Sequence, residues 1–281
     1  MPYWFVVFLT GITSIVLILV GMQGMNAVHL HVNKSKSSID VIRDQITQLS
    51  HGEMSKHIWY RDMPASMRQH VQAIAKEVQD KLHAIKGEHV HFLPAMTELA
   101  LTSKTKLNSE VIFFTRHLDA PFILLPCKVY RVLVGIQGCN GTQTVFPNKI
   151  ITLKTYDAMA FDYDRTPHYI VSTGKPCDKR ILLKMQFHAF GRKQMCNNVH
   201  VKWAEYSRKL LENNQTSITW TCQVGIWIAY LLSYFLPIAV VQLLIVLVYS
   251  IMGYGWLKPF IVGILAVNVM LIAFSVVFIK L

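Results

Sequence analysis

Residues 116–188 read RHLDAPFILLPCKVYRVLVGIQGCNGTQTVFPNKIITLKTYDAMAFDYDRTPHYIVSTGKPCDKRILLKMQFH. β-Branched and aromatic residues are dense here, and Gly, Pro and Asn interrupt them at short intervals. The pattern predicts several short antiparallel strands. Asn140-Gly141 is expected to turn one hairpin. The rest of the chain reads as anchors and helpers for this block.

The block holds a small set of chemically capable side chains. His117 and Asp119 are two apart, so an extended segment projects both from one face. His168 follows much later in the same block. Two histidines and one carboxylate are the ligand set of a non-haem Fe(II) facial triad, which leaves positions open for a bidentate oxoacid and O2. From Arg180 onward, strand alternation puts Arg180, Leu182, Lys184, Gln186 and His188 on one face. Ile181, Leu183, Met185 and Phe187 fall on the other. An inward Arg180 would grip a carboxylate with two parallel hydrogen bonds, with Lys184 as the fallback.

Plainer readings exist for each residue. A lone His-x-Asp arises often by chance, His168 beside Pro167 also reads as a turn histidine, and His188 as an ordinary strand histidine. Asp162 and Asp164 read as turn braces, with Asp162 within reach of His168. Four positions in the right order weigh for the metal reading.

Taken together, Ala160-Phe161-Asp162, His168 and Arg180-Ile181-Leu182-Leu183 resemble the Fe(II)/2-oxoglutarate-dependent oxygenase superfamily. The pattern is nearest its aspartyl/asparaginyl β-hydroxylase-like branch, with an apolar strand, a short "FD" strand, a histidine, and an arginine opening the next apolar strand. The resemblance covers about residues 110–190. It implies a double-stranded β-helix (jelly roll), Fe(II) held by His117, Asp119 and His168, and 2-oxoglutarate held by Arg180 or Lys184. It also implies hydroxylation of a C–H bond with release of succinate and CO2.

Charge is distributed very unevenly over the 281 residues. Residues 1–28 and 223–257 contain no Lys, Arg, Asp or Glu, and Lys258 and Lys280 are the only charges after residue 222. The middle therefore holds 26 of the 28 basic residues (28 − 2) and all 16 acids, a net of +10 (26 − 16). Residues 3–23, 223–251 and 259–279 are apolar and long enough to span a bilayer. Lys34, Lys36 and Arg43 follow the first span, so the positive-inside rule puts the intervening domain in the cytoplasm. The sequons at Asn140 and Asn214 would be usable only on the lumenal alternative. The basic excess suits a membrane lipid surface, and no arginine-rich helix or finger spacing favours nucleic acid.

Five cysteines without a Cys-x-x-Cys pair argue against a disulfide framework and read as reduced, buried thiols. Residues 37–49 carry apolar side chains at helical spacing. A stripe of Met67, Val71, Ile74, Val78, Leu82 and Ile85, closed by Gly87, predicts a second helix packed on the β block. His29-x-His31 is a candidate metal pair that reads better as solvated flank, and His89-x-His91 reads as structural. Gly-rich phosphate loops and nucleophile elbows are absent from the sequence, which weighs against nucleotide-dependent and hydrolase chemistry.

The expected architecture is an α+β membrane protein. Residues 1–28 form an N-terminal transmembrane anchor, 29–109 a helical region, 110–190 the jelly-roll core, 191–222 a polar basic connector with a helix near 201–211, and 223–281 a two-helix transmembrane hairpin. The expected function is a membrane-anchored dioxygenase acting on a lipid or membrane-associated protein. The alternative is a non-catalytic membrane protein whose β domain is an interaction module.

Overall fold

A computed structural model describes residues 26–49, 56–87, 89–103, 119, 128–173, 179–190 and 198–205. The three predicted spans, His117 and Asn214 lie outside the described residues. Among the described residues, no helix is long and apolar enough to cross a membrane.

Among the described residues, ten strands and three α-helices follow in chain order: β1 (Val28–His31), α1 (Lys36–Leu49), β2 (Lys56–Trp59), α2 (Ala65–Lys86), β3 (His91–Phe92), β4 (Glu98–Ser103), β5 (Lys128–Gln137), β6 (Thr142–Val145), β7 (Ile150–Ile151), β8 (Asp157–Asp162), β9 (Tyr169–Ser172) and β10 (Lys179–Phe190), then α3 over 198–205. The large antiparallel sheet runs β1-β8-β5-β10-β4-β2, with β3 also pairing β10; the small one runs β7-β6-β9. After β5 the chain goes to the small sheet for β6 and β7, returns for β8, crosses again for β9, and comes back as β10. This alternation between two facing sheets is jelly-roll winding.

The large sheet has two differently used faces. On one, Tyr130, Val132, Val134, Ala158, Ala160, Ile181, Leu183, Met185 and Phe187 pack under the apolar stripes of α1 and α2. These include Met67, Val71, Ile74, Val78 and Leu82 of α2, each stabilising the fold by roughly 1.5–3 kcal/mol through burial. Ile85, the last member of the predicted stripe, is exposed. Gly87 closes α2 at φ +66°, donating its N–H to the His83 carbonyl. The left-handed turn at a helix end suits a residue without a side chain.

The other face looks into the jelly roll. There Leu133, Met159, Phe161 and Leu182 meet Phe146, Ile151 and Leu153 from the small-sheet side. On β10, Leu182 thus lies inward and Ile181, Leu183, Met185 and Phe187 lie on the helix side, as the alternation predicts. β5 and the loop before β8 come very close: a Cβ on Gly135 would sit 2.2 Å from the Lys154 carbonyl oxygen. Tyr156 in that loop takes φ +69°, held by its hydroxyl donating to Asp40 Oδ1 at 2.7 Å and its N–H to the Gly135 carbonyl.

Several sequence expectations need correction. Residues 28–31 form an edge strand on β8 instead of a solvated flank. The stretch 29–109 supplies β1 to β4 as well as its two helices. Asn140-Gly141 does turn the chain, but it joins strands of different sheets and makes no hairpin. Cys139 is disulfide-bonded, so the reading of reduced thiols does not hold for it. Local spacing reports only pairs close in sequence, whereas a disulfide pairs residues brought together by folding.

Candidate functional site

The interior face carries an unusual concentration of buried polar side chains. Asp119, His168, Arg131, Gln186 and Arg180 are all nearly enclosed. A buried ion or amide is costly unless it is paired, so their partners define the site.

His168 stands just before β9, at the end of a turn that begins at Asp162. Asp162 Oδ1 accepts the N–H groups of Asp164 and Arg165, both at 3.0 Å. The Asp162 carbonyl accepts the Thr166 N–H, and the Thr166 hydroxyl accepts the Asp162 N–H. Burial and the neighbouring Asp164 push the Asp162 carboxyl above its ordinary range. Thr166 then fixes the histidine: its carbonyl oxygen, which can only accept, lies 3.1 Å from His168 Nδ1. Nδ1 therefore carries the proton and Nε2 is left as the acceptor or ligand atom. The ring is held against Phe161 at 4.6 Å and Phe146 at 5.7 Å between centroids.

Nε2 of His168 lies 3.7 Å from Asp119 Oδ2. Two of the sequence-nominated ligands, from residues 49 apart (168 − 119), therefore converge. Ligands at right angles on an ion roughly 2.1 Å away would be about 3 Å apart, so the pair has nearly the spacing a divalent cation demands. His117, two residues before Asp119, lies outside the described residues.

The opposite oxygen of Asp119 accepts from Arg131 Nη1 at 2.7 Å. Arg131 comes from the middle of β5, next to Gln186 in register. With the Gln186 amide oriented to satisfy its neighbours, its oxygen accepts from Arg131 Nε at 3.2 Å and Nη2 at 3.1 Å, and its nitrogen donates to the Met96 carbonyl. The guanidinium also lies over the Tyr163 ring, 4.7 Å from its centroid. Burial alone would lower the Arg131 pKa, but Asp119, Tyr163 and Glu98 together more than offset it and raise the value. The Tyr163 phenol is pushed up by burial. Arg131 thus stays charged and aims the Asp119 carboxylate at His168.

Lys184 lies on the same interior face and pairs with Glu98 Oε1 at 2.9 Å, while His57 Nδ1 lies 3.2 Å from Oε2. Burial would raise the Glu98 pKa, but Lys184 and His57 together hold its carboxyl well below the usual range. Arg180 is buried at the start of β10, opposite Thr102 of β4 and at the other end of the strand from Gln186.

Helix α3 closes the site from outside the sheets. His200 Nε2 lies 2.9 Å from Asp164 Oδ2, both fully buried. Trp203 Nε1 donates to the Asp119 carbonyl at 3.0 Å. Helix α3 thus braces both the His168 turn and the Asp119 backbone. No sequence signal marks Arg131, His200 or Trp203, which look like ordinary strand and helix residues until the fold places them.

No protein-family model matches the sequence, and neither does any curated protein. Among solved structures, a viral collagen prolyl hydroxylase from Paramecium Bursaria Chlorella virus-1 in complex with 2OG aligns at 13% identity over 60% of this chain and 99% of its own, with a TM-score of 0.43. The non-heme alpha ketoglutarate dependent epimerase SnoN from nogalamycin biosynthesis aligns at 13% identity over 63% and 81%, TM-score 0.39. EvdO2 from Micromonospora carbonacea var. aurantiaca aligns at 11% identity over 58% and 86%, TM-score 0.40. At these scores neither the fold nor the chemistry of this chain rests on the likenesses.

Proposed function

We propose that this chain is an Fe(II)- and 2-oxoglutarate-dependent dioxygenase, membrane-anchored through its apolar termini, that hydroxylates a lipid or membrane-associated protein. The observation that carries the reading is the meeting of Asp119 and His168 inside the jelly roll, with Nδ1 of His168 already committed to Thr166. The described donors fit a divalent cation: one carboxylate and one imidazole nitrogen at 3.7 Å; His117, the third ligand in the sequence reading, lies outside the described residues. When bound, the iron and the oxoacid would supply O2 activation and oxidation of a C–H bond, with loss of CO2 and formation of succinate.

The chain's own residues have definable tasks in this reading. Thr166 and the Asp162 turn orient the imidazole. Arg131 orients Asp119 and pairs with its charge, so that the carboxylate is a ready ligand. Phe146, Phe161 and Met159 keep the neighbourhood dry, which strengthens every charge interaction within it. The grip on the 2-oxoglutarate carboxylate is assigned to Arg180, with Lys184, which pairs with Glu98, as the fallback. The aspartyl/asparaginyl hydroxylase-like branch remains the family reading the order of these residues supports best.

The domain's side of the membrane follows from a different residue. Disulfides persist where the environment is oxidising, so the Cys139 disulfide supports the lumenal alternative over the cytoplasmic side that the basic residues favour.

The test is succinate release from 2-oxoglutarate by the detergent-solubilised full chain with Fe(II). Turnover that is lost in His168→Ala is expected. In Arg180→Leu the KM for 2-oxoglutarate should rise while Lys184→Met leaves it unchanged. Absence of turnover together with absence of bound iron refutes the enzyme and leaves the interaction module.

A further inference from the structure

The large sheet ends in a second cluster of metal-binding side chains that the proposed dioxygenase chemistry does not use. β1 is the edge strand, and its register sets His31 opposite Asp157 and His29 opposite Met159 on β8. Leu30 points into the helix-side core, so the two histidines on either side of it share the opposite face. His31 Nδ1 lies 2.8 Å from Asp157 Oδ1, and His29 Nε2 lies 3.3 Å from Oδ2. One ligand atom from each residue falls within 4.8 Å of the others.

We propose that His29, His31 and Asp157 form a binding site for a divalent transition-metal ion, separate from Asp119 and His168. Two imidazoles and one carboxylate are a known donor set for such ions, completed by water. Around an ion roughly 2.0–2.1 Å from each ligand, tetrahedral neighbours lie about 3.4 Å apart. The two His–Asp spacings, 2.8 and 3.3 Å, both fall short of that value, the longer one only slightly. The carboxylate is held in place because Oδ2 also accepts the Lys154 N–H at 3.3 Å. The side chains of His29 and His31 are 36% and 64% exposed, which leaves room for water ligands and for small ring rotations. Lys81, beside this edge, donates to the His31 carbonyl and pairs with Glu77 at 3.2 Å.

The site is distinct from the interior pair. Asp157 and Phe161 are four residues apart on β8, about 13 Å at strand rise, and it is Phe161 whose ring lies against His168. A metal here would fasten β1 to β8. The Irving–Williams order favours Zn2+ over Fe2+ at such donors.

The competing reading is a pair of ordinary His–Asp contacts with no ion. Equilibrium dialysis of the chelator-stripped, detergent-solubilised full chain against Zn2+ separates the two. His29→Gln with His31→Gln is expected to remove one equivalent of Zn2+ per chain, and Asp157→Asn to weaken the same equivalent at least tenfold. His168→Ala should leave that equivalent in place, so failure here and failure of the iron site give different patterns. Zn2+ should also slow hydrogen exchange at the amides of 28–31 in the wild type and not in the double variant. Because both histidines are exposed, unchanged melting of the double variant in chelator confirms that it folds. Equal stoichiometry in the wild type and the folded double variant overturns the proposal.

Discussion

Replacing Arg131 by Met isolates the interaction on which the interior site depends. The side chains of Arg131 and Asp119 are 15% and 7% exposed and meet at 2.7 Å. The substitution keeps much of the aliphatic bulk but strands the Asp119 carboxylate and removes both Gln186 contacts. Breaking one partner of a buried ion pair costs about 3–5 kcal/mol, because the remaining charge stays uncompensated. For a domain of this size each kcal/mol lowers the melting temperature by roughly 2–4 °C, so a fall on the order of 6–20 °C is expected at pH 7 in chelator. Adding Asp119→Asn should recover part of that loss, since the buried charge is then gone. Divalent metal should also recover part of it in Arg131→Met alone, because an ion at Asp119 replaces the missing positive charge. The assay is thermal melting of the four proteins of the cycle, with and without metal. A fall below about 2 °C for Arg131→Met in chelator would refute the reasoning and mean that water reaches Asp119.

Other consequences follow from particular residues. The folded Glu98 pKa lies below its unfolded value of 4.5, so its contribution to stability is complete above about pH 4.5 and disappears as pH falls toward the folded value. Melting between pH 7 and 3 should show an acid decline that is shallower in Glu98→Gln; equal slopes would remove Glu98 from the account. Gly135→Ala drives a Cβ into the Lys154 carbonyl at 2.2 Å and should abolish folded protein, whereas Gly87→Ala, with open space but φ +66°, should cost about 1–2 kcal/mol. Asn140 is exposed within its turn. On a lumenal domain it should carry a glycan, removed by glycosidase and by Asn140→Gln; an unshifted band in a glycosylating host argues for the cytoplasmic side.

The long periodic elements were legible before the fold was known. The α2 stripe and the alternation of β10 each present a repeated pattern, and burial then follows the pattern. The interior pair was legible as chemistry, since Asp119 and His168 were nominated by type and order, but their approach to 3.7 Å depends on a turn built by Asp162 and Thr166. β1 and β2 are four residues each, too short for a period to emerge, and β1 carries two histidines that look solvated in isolation. Only register with β8 sets Asp157 opposite His31 and within reach of both. Arg131 was invisible for a related reason. A charged residue within an apolar strand reads as a defect until the carboxylate that matches it is brought alongside. Cys139 shows the same limit for covalent pairing.

The central claim is that Asp119 and His168 hold a metal ion inside the jelly roll. Anomalous diffraction at the iron edge, from anaerobically grown crystals of the full chain with Fe(II) and 2-oxoglutarate, tests it most directly. A peak within bonding distance of Asp119 Oδ2 and His168 Nε2, absent from crystals of His168→Ala, is the predicted result. No peak at that position, or a peak only at His29, His31 and Asp157, would contradict it.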